Sequence, residues 1–408
     1  MKIRSFKGLT PAKGKAEAIA SLPYDVVNFE QAEEQAKGRP LSFMRVVRSE
    51  IELPAGTDPY SDAVYAHAKE NFEKLVADGN LVREPENCMY LYRQQMGDHS
   101  QTGLVAVFSA EDYDADVIKK HEKTRQAKEN DRYRLTKTLR VNTGPVFLTV
   151  KDGTKLDQIV EDKKDSDAAF DFVAADGIRH TGWKISDPAK LAEIVDIFDK
   201  IPCAYVADGH HRSASNARCA RDLKAANPNH TGKEDYNWFL SVVFPAGQLK
   251  ILPYNRVVRD LAGMSEAQFL QKLGEVCKVS ESGEKSPTAP NYVDMYLGKK
   301  WYTLKFENTE SLGAVESLDV SLLQERVLAP LLKIGDPRTD ERIDFVGGIR
   351  GTAELERLVD SGKFAVAFSM YPTTVAQLMA IADAGEIMPP KSTWFEPKLR
   401  SGLFIHTF

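Results

Sequence analysis

The stretch Ile201–Asn227, which reads IPCAYVADGHHRSASNARCARDLKAAN, predicts a strand, a tight turn and a helix in succession. Its apolar run from Ile201 to Ala207 is long enough for one buried strand, and the run breaks at Asp208-Gly209. Small and apolar residues then recur at a helical spacing, at Ala214, Ala217, Ala220 and Leu223. This strand–turn–helix unit is the predicted centre of the molecule.

The turn of this unit has the features of an anion site. Gly209 lets the chain turn where a Cβ would obstruct it, and the next residues offer unpaired N–H groups at the positive end of the helix dipole. Side-chain donors from the same turn would surround a bound phosphate, and they are His210, His211, Arg212, Ser213 and Ser215. For Asp208 the sequence leaves four roles open: metal ligand, proton acceptor, partner that orients a histidine, or ordinary helix N-cap.

Composition limits the class of protein. The chain has 408 residues, of which 42% are hydrophobic and 28% charged, which is typical of a globular protein with two or three domains. The net charge of -5 and the pI near 6.0 argue against a general nucleic-acid surface. The four cysteines show no CxxC spacing, and the N-terminus has no apolar core of signal-peptide length. We therefore expect a cytoplasmic protein without a membrane span, for which nucleic acid is an unlikely partner.

Four motifs carry a resemblance to a known family. They are LPYDVV at Leu22–Val27, HEKT at His121–Thr124, DGHHR at Asp208–Arg212 and MPPKSTWFEPKLRSGLF at Met388–Phe404. In this order they resemble a bacterial and archaeal family of unknown function that often carries the label SpoOJ/ParB/RepB-like. The DGHHR motif is also similar to that of free L-serine kinases built on the ParB/sulfiredoxin nucleotide-binding fold. The resemblance implies nucleotide binding and phosphoryl transfer to free serine.

The predicted fold class is α+β. The resemblance implies a ParB/sulfiredoxin-like mixed-sheet nucleotide-binding core over residues 1–260, with DGHHR in it. Residues 261–408 are expected to form a further α+β region whose closing loop returns to the site. Local patterns predict a strand at Ser42–Val47, a helix at Tyr60–Asp78, and strands on both sides of the DGHHR helix, the usual surroundings of a phosphate-binding turn.

The N-terminal motif offers candidates for the substrate site. Pro23 makes the chain rigid, so Tyr24 and Asp25 are either substrate contacts or a packed ring and a turn cap. Asn28 is expected to cap a helix that ends near Lys37-Gly38. In the serine kinases of the resemblance an N-terminal glutamate acts on the substrate hydroxyl, and Glu30 is the nearest candidate for that role.

The HEKT motif is predicted to lie on a helix between Val117 and Asn130. Its polar residues, with Arg132 two turns further on, form either a charged solvent-facing surface or part of a site. In the second case Glu122 is a candidate catalytic acid, His121 and Thr124 are candidate phosphate ligands, and Arg132 binds substrate.

The closing segment cannot be a regular helix, because it contains prolines at 389, 390 and 397. It is either an apolar strap or a functional loop with phosphate or carboxylate contacts. The candidates are Lys391, Ser392 and Thr393 for phosphate and Arg400 for substrate.

These patterns lead to one primary hypothesis and two alternatives. The primary hypothesis is a phosphotransferase that uses ATP or ADP and Mg²⁺ to phosphorylate L-serine, with Asp208 as metal ligand and with a homodimer as its possible assembly. The sequence has neither GxGxxG nor GxxxxGK[ST] spacing, so it does not indicate a Walker-type ATPase. The alternatives are a non-catalytic ParB-like nucleotide-binding switch and a DNA-binding protein or nuclease, against which the acidic composition counts.

Overall fold

The structure is a computed structural model that describes residues 1–152, 155–161 and 167–408. Its α-helices are α1 (Ala16–Ile19), α2 (Phe29–Ala36), α3 (Met44–Val47), α4 (Asp62–Ala77), α5 (Ala110–Asp114), α6 (Gln126–Leu139), α7 (Leu156–Glu161), α8 (Pro188–Asp199), α9 (His210–Ala226), α10 (Glu266–Val276), α11 (Asp319–Leu323), α12 (Gly351–Asp360) and α13 (Val375–Asp383). None of these described helices is both long and apolar enough to cross a membrane.

The β-strands of the described residues follow the same chain order. They are β1 (Ile3–Arg4), β2 (Leu9–Pro11), β3 (Leu81–Arg83), β4 (Met89–Met96), β5 (His99–Ser109), β6 (Ile118–Lys119), β7 (Val141–Asn142), β8 (Val146–Val150), β9 (Phe170–Val173), β10 (Arg179–Ile185), β11 (Ala204–Asp208), β12 (Trp238–Pro245), β13 (Lys250–Leu252), β14 (Tyr254–Val258), β15 (Lys278–Ser282), β16 (Tyr292–Leu297), β17 (Lys300–Lys305), β18 (Ile343–Gly347), β19 (Val366–Met370), β20 (Trp394–Glu396) and β21 (His406–Thr407).

The chain divides into two compact units. The first contains residues 1–120, 124–249 and 397–408, and the second contains 121–123 and 250–396. Both combine helices with sheets, which confirms the predicted α+β class. The boundaries differ from the expected 1–260 and 261–408, because β13 and β14 pair with β20 and β18 of the second unit. The last twelve residues belong to the first unit, where β21 pairs with β7.

A large mixed sheet organises the first unit. Its strand order is β6-β11-β8-β12-β5-β4-β10-β9, and β1 pairs with β5. The predicted strands on both sides of the DGHHR helix are confirmed as β11 and β12, and in the sheet β8 lies between them. Since β11 is antiparallel to β8 and β12 is parallel to it, the strands before and after α9 run in opposite directions.

Both faces of this sheet are buried. One face packs in an apolar cluster that includes Phe108 of β5, Phe198 of α8 and Ala217 of α9. On the other face the Tyr90 ring lies 4.9 Å from that of Phe404 in the C-terminal segment. The side chain of Gln94 also donates a hydrogen bond of 2.8 Å to the Lys398 carbonyl. The closing residues therefore cross this second face, which brings Lys398 and Arg400 to the sheet.

A second apolar cluster in the first unit contains α2, α3, α4 and α6. The residues predicted as a strand at Ser42–Val47 form α3 instead, and the Ser42 hydroxyl accepts from the Met44 N–H at 3.3 Å. A short apolar run does not by itself distinguish a strand from a buried helical turn, which explains the error. The predicted helix cap at Asn28 is confirmed by a complete capping box with Gln31.

Two further predictions concern the first unit. HEKT does not lie on a helix: β6 pairs with β11 and holds Ile118–Lys119 in the sheet, and α6 begins only at Gln126. The polar, acidic stretch Lys151–Asp167 predicts a surface helix, and α7 lies within it. The parts of that prediction at 153–154 and 162–166 lie outside the described residues.

The second unit contains a six-stranded antiparallel sheet in the order β15-β17-β16-β19-β14-β18. Helix α12 packs on it through Leu355 and Leu358, together with Trp301 and Tyr296 from the strands. The sequence predicts one helix from Val320 to Leu332, but α11 ends at Leu323 and continues as a π-helical turn, Gln324–Leu328. Single π turns are frequent near functional sites.

Candidate functional site

The DGHHR residues lie where β11 ends and α9 begins. Gly209, the N-cap position, has φ 94°, a left-handed conformation that glycine adopts without steric cost. Because the N-cap residue is Gly209 and not Asp208, the N-cap interpretation of Asp208 is wrong. Gly209 itself has no side chain with which to cap this 17-residue helix.

Asp208 is instead paired with two cations. Its Oδ2 accepts a hydrogen bond from Lys398 Nζ at 3.0 Å, and its Oδ1 lies 4.0 Å from Arg212 Nη2. Burial alone would raise the pKa of Asp208, but Lys398 and Arg212 outweigh it and hold that pKa well below its usual range. The Asp208 side chain is 25% exposed, compared with 9% for Lys398. The acid is therefore ionised and accessible between two largely buried positive charges.

Arg212 is held by the backbone around it. One of its nitrogens, Nη1, donates to the Pro145 carbonyl, and a Cβ built on Gly209 would come within 3.1 Å of its guanidinium carbon. The buried Nε of Arg212 has no hydrogen-bond partner among the described residues. A buried donor without a partner costs free energy, so this atom is suited to an incoming acceptor.

The serine hydroxyls of α9 do not face a ligand, contrary to prediction. Ser213 Oγ donates to the Gly209 and His210 carbonyls at 3.2 and 3.1 Å, and Ser215 Oγ donates to the Arg212 carbonyl at 3.0 Å. Both side chains are fully buried. Hydroxyls in the interior of a helix commonly bond to the preceding turn in this way.

The two histidines of the motif differ in environment. Burial lowers the pKa of His210 to about 3, although Asp208 works in the opposite direction. His210 is therefore a neutral imidazole near pH 7 and adds no positive charge. His211 is half-buried, and its Nε2 accepts a hydrogen bond of 3.1 Å from the backbone N–H of Arg125.

Tyr24 and Arg132 lie together in the first unit. The Arg132 guanidinium carbon stacks 3.8 Å from the centre of the Tyr24 ring, and Asp131 accepts two hydrogen bonds from Arg132 at 2.7 and 3.0 Å. The Tyr65 hydroxyl donates to the same carboxylate at 3.0 Å. These buried contacts contradict the interpretation of Asp131 and Arg132 as a solvent-facing charged surface. Burial raises the pKa of Tyr24, and its hydroxyl has no partner among the described residues.

Arg400 also makes structural contacts. Its Nε donates to His180 Nε2 at 3.1 Å, and it forms an ion pair with Asp176. Burial, with Arg400 beside it, lowers the pKa of His180 to about 2, and the other ring nitrogen bonds the Tyr92 hydroxyl at 2.7 Å. Arg400 Nη1 is buried and has no partner among the described residues, so one donor remains.

The first unit thus brings Asp208, Gly209, His210 and Arg212 together with Lys398. Sequence reasoning missed Lys398, although it lies in the closing motif two residues before Arg400. That position marks Lys398 as a candidate site residue, but it does not indicate which acid Lys398 contacts.

Three further predicted site residues, Asp25, Glu30 and Thr124, belong to the first unit. Asp25 and Glu30 are exposed, the latter on the first turn of α2. Thr124 donates to Glu129 Oε2 at 2.8 Å. The remaining predicted residues belong to the second unit and are His121, Glu122, Lys391, Ser392 and Thr393.

Within the second unit these residues contact the closing segment. The His121 carbonyl accepts from the Met388 N–H at 2.8 Å, and the Ser392 hydroxyl donates to the Pro389 carbonyl at 2.6 Å. Lys391 has a left-handed backbone with φ 60°, and its Nζ lies 5.3 Å from the Tyr254 ring centre.

The profile of a protein family described as "Protein of unknown function (DUF1015)" matches residues 3–321. The chain belongs to that family. No curated protein is detectably similar to this family member in sequence.

Several solved structures are similar to the chain. A free serine kinase in complex with AMP shares 15% identity and a TM-score of 0.38, over 71% of this chain and 86% of the kinase. A conserved hypothetical protein from Pyrococcus furiosus shares 15% identity and a TM-score of 0.37, over 73% and 93% of the two chains. SbnI with C-terminal truncation from Staphylococcus aureus shares 13% identity and a TM-score of 0.39, over 73% and 85%. Matches this distant do not establish a shared activity.

Proposed function

We propose that the protein is a nucleotide-dependent phosphotransferase that phosphorylates the hydroxyl of free L-serine to give O-phosphoserine. The observation that supports it best is the cluster at the N terminus of α9, where Lys398 and Arg212 flank Asp208. Two cations and one acid leave an excess of positive charge at the positive end of the α9 dipole, which favours a phosphate. The choice of serine as acceptor depends on the resemblance of the DGHHR motif to that of free L-serine kinases.

ATP or ADP is the proposed donor. The Gly209 backbone would let the phosphates approach α9 closely, while Arg212 Nε would donate a charge-assisted hydrogen bond. Phosphoryl transfer needs positioning and charge stabilisation more than covalent chemistry by the protein. The neutral His210 would contribute as a hydrogen-bonding group and not as a charge.

The residues at this turn fit a magnesium ion through one atom. Mg²⁺ is usually held by one or two carboxylates together with substrate phosphates. Asp208 Oδ1 is ionised, and its 4.0 Å distance from Arg212 is too long for a hydrogen bond, so this oxygen would hold the ion. When bound, the ion would neutralise charge on the phosphates.

One acid is proposed to orient the serine hydroxyl, and the candidates are Asp208, Glu122 or Glu30. The low pKa of Asp208 makes it a weak proton acceptor, so its proposed role is to position the substrate or metal. Glu30 is exposed at the start of α2 and is free of a structural ion pair among those described, which suits a residue that meets substrate.

We also propose a more specific fold for the first unit. The mixed sheet around β11 would be a ParB/sulfiredoxin-like nucleotide-binding core, elaborated by the strands and helices of the first unit.

A non-catalytic nucleotide-binding switch is the second candidate function. The ion pair with Lys398 makes Asp208 a poor proton acceptor, which suits a site that binds nucleotide without turning it over.

The test is ³¹P NMR of the purified protein with Mg²⁺, ATP and L-serine. A kinase forms O-phosphoserine in proportion to the nucleotide consumed, and replacing ATP with ADP identifies the donor. Nucleotide binding without any phosphorylated product would support the switch. An absence of nucleotide binding would exclude both candidates.

A further inference from the structure

The second unit contains a large cavity that the proposed phosphotransferase function does not use. Its volume is about 880 Å³, within the range typical of small-molecule sites. The apolar part of its lining includes Leu312, Val315, Val320, Leu322, Ile343 and Phe345, and charged side chains such as Arg326 and Arg338 complete the walls. The π-helical turn Gln324–Leu328 supplies part of the same lining. Apolar walls favour a ligand with a hydrocarbon or aromatic body.

One buried positive charge faces this apolar cavity. Arg256 of β14 lines it and is only 3% exposed. Its guanidinium donates to the carbonyls of Tyr254 and Lys391, the second at 3.0 Å, and lies 5.4 Å from the Phe345 ring centre. Within the described part of the chain no carboxylate forms an ion pair with it. Burial lowers the pKa of Arg256 to about 10, so the group is still charged at neutral pH.

A buried cation without a counter-ion is costly to a folded protein. The cost is offset when a ligand supplies the missing negative charge, and a guanidinium suits carboxylate or phosphate oxygens especially well. Three acids line the cavity, and none forms an ion pair with Arg256 among the described residues. Asp336 is bonded to Arg338 at 2.8 Å, Glu316 accepts from the Gly313 N–H at 3.1 Å, and Glu325 is exposed.

We propose that this cavity binds a small organic anion, a molecule with one carboxylate or phosphate group on an apolar body, and that Arg256 pairs with its charged group. The volume accommodates a ligand larger than free serine. The apolar part of the lining would contact the apolar body of this ligand. The nucleotide phosphate proposed at the α9 turn would instead be bound by polar groups.

Binding of three matched probes to the full-length protein tests this proposal. Benzoate and phenyl phosphate carry the two candidate charges on one apolar body, and benzamide is an uncharged analogue of benzoate. We expect ligand-observed NMR titrations to show that benzoate or phenyl phosphate binds about tenfold or more tightly than benzamide, since charge-assisted hydrogen bonds contribute on that scale. The tighter of the two anions identifies the charged group of the ligand. Equal binding of benzamide and both anions would overturn the proposal.

Variants locate the site. Arg256→Gln should weaken the anion about tenfold or more, whereas Arg259→Gln should leave it unchanged. Arg259 is a matched control because it lies just after the same strand, is exposed and also donates to a carbonyl, that of Glu341 at 3.0 Å, but does not line the cavity. An unchanged affinity in folded Arg256→Gln protein would overturn the assignment.

A second variant keeps the test valid if Arg256→Gln does not fold. Leu312 is a half-buried loop residue of the cavity wall, and Leu312→Trp should fill the space and abolish anion binding. Full binding by that variant would also overturn the proposal. None of the probes contains a nucleoside or serine, so the result is independent of the phosphotransferase assay.

Discussion

Arg212 is the side chain through which the proposed phosphate site can be tested most directly. Its buried Nε is without a partner among the described residues, so a donor is available for nucleotide. We expect Arg212→Ala to weaken ATP binding by about 1.5–3 kcal/mol, measured by titration calorimetry. Arg218→Ala is the control, because Arg218 is on the same helix but lies 3.8 Å from Glu129 and is 34% exposed. Equal ATP affinities in the two variants would remove this turn from the nucleotide site.

Variants of Asp208 and Lys398 distinguish a chemical role of Asp208 from a structural one. Asp208→Asn removes the charge needed for Mg²⁺ or hydroxyl positioning, and we expect phosphoserine formation to fall about a hundredfold or more. The same change leaves Lys398, whose side chain is 9% exposed, without its carboxylate, so the melting temperature should also fall. The double variant with Lys398→Gln should recover melting temperature but not turnover. Recovery of turnover would show that Asp208 serves only to neutralise Lys398.

The turn between β11 and α9 depends on a backbone conformation rather than on a side chain. Gly209→Ala should cost about 1–2 kcal/mol of folding free energy, because an L-residue is strained at φ 94°. The new Cβ would also lie 3.1 Å from the Arg212 guanidinium and displace it, so ATP affinity should fall as well.

Gly177→Ala is a control that separates the displacement of Arg212 from the backbone strain of an added Cβ. Gly177 has φ 79° in the turn between β9 and β10, and no atom lies within 4 Å of an added Cβ. We expect it to lose similar stability in urea unfolding while it keeps the ATP affinity of the unchanged protein. If both variants bind ATP normally, close approach to Gly209 is not part of nucleotide binding.

The stability of the folded first unit should depend on pH through its buried histidines. Burial lowers the pKa of His406 to about 3, with Arg4 and Arg83 adding to the effect. The unfolded chain binds a proton at each histidine near pH 6.5 but the folded chain does not, so protons favour unfolding. The contribution of such a histidine to the free energy of unfolding is therefore fully present above pH 6.5 and is lost as the pH falls toward 3.

His406→Gln tests this dependence. Between pH 7.5 and 5.5 one such histidine should lower the unfolding free energy of the unchanged protein by about 1.4 kcal/mol. The variant lacks this histidine, so its unfolding free energy should fall by about 1.4 kcal/mol less over the same pH range. The comparison of the two pH values cancels any constant cost of losing the 2.9 Å contact between His406 and Asn142. His99→Gln, at a half-buried position of the β4–β5 hairpin, is the control. An identical pH dependence in the His406 variant and the unchanged protein would contradict the expected shift.

The predictions that the structure confirms share a local origin. The helix cap at Asn28 and the strand–turn–helix at Gly209 each involve residues within a few positions of one another. Periodicity, capping residues and glycine turns act over that range, so the amino-acid sequence was sufficient to determine them. The mixed α and β character of both units followed from the same patterns.

Tertiary structure decided the features that join distant parts of the chain. Lys398 pairs with Asp208 across 190 residues, and β8 separates β11 from β12, although neither follows from a local pattern. The burial of Arg256 in an apolar wall is of the same kind. Such contacts depend on the path of the backbone and on which surfaces exclude water together, and residue spacing contains no information about either. The sequence therefore identified the turn that we propose binds an anion, while the fold determined the cations that pair with Asp208 and the cavity of the second unit.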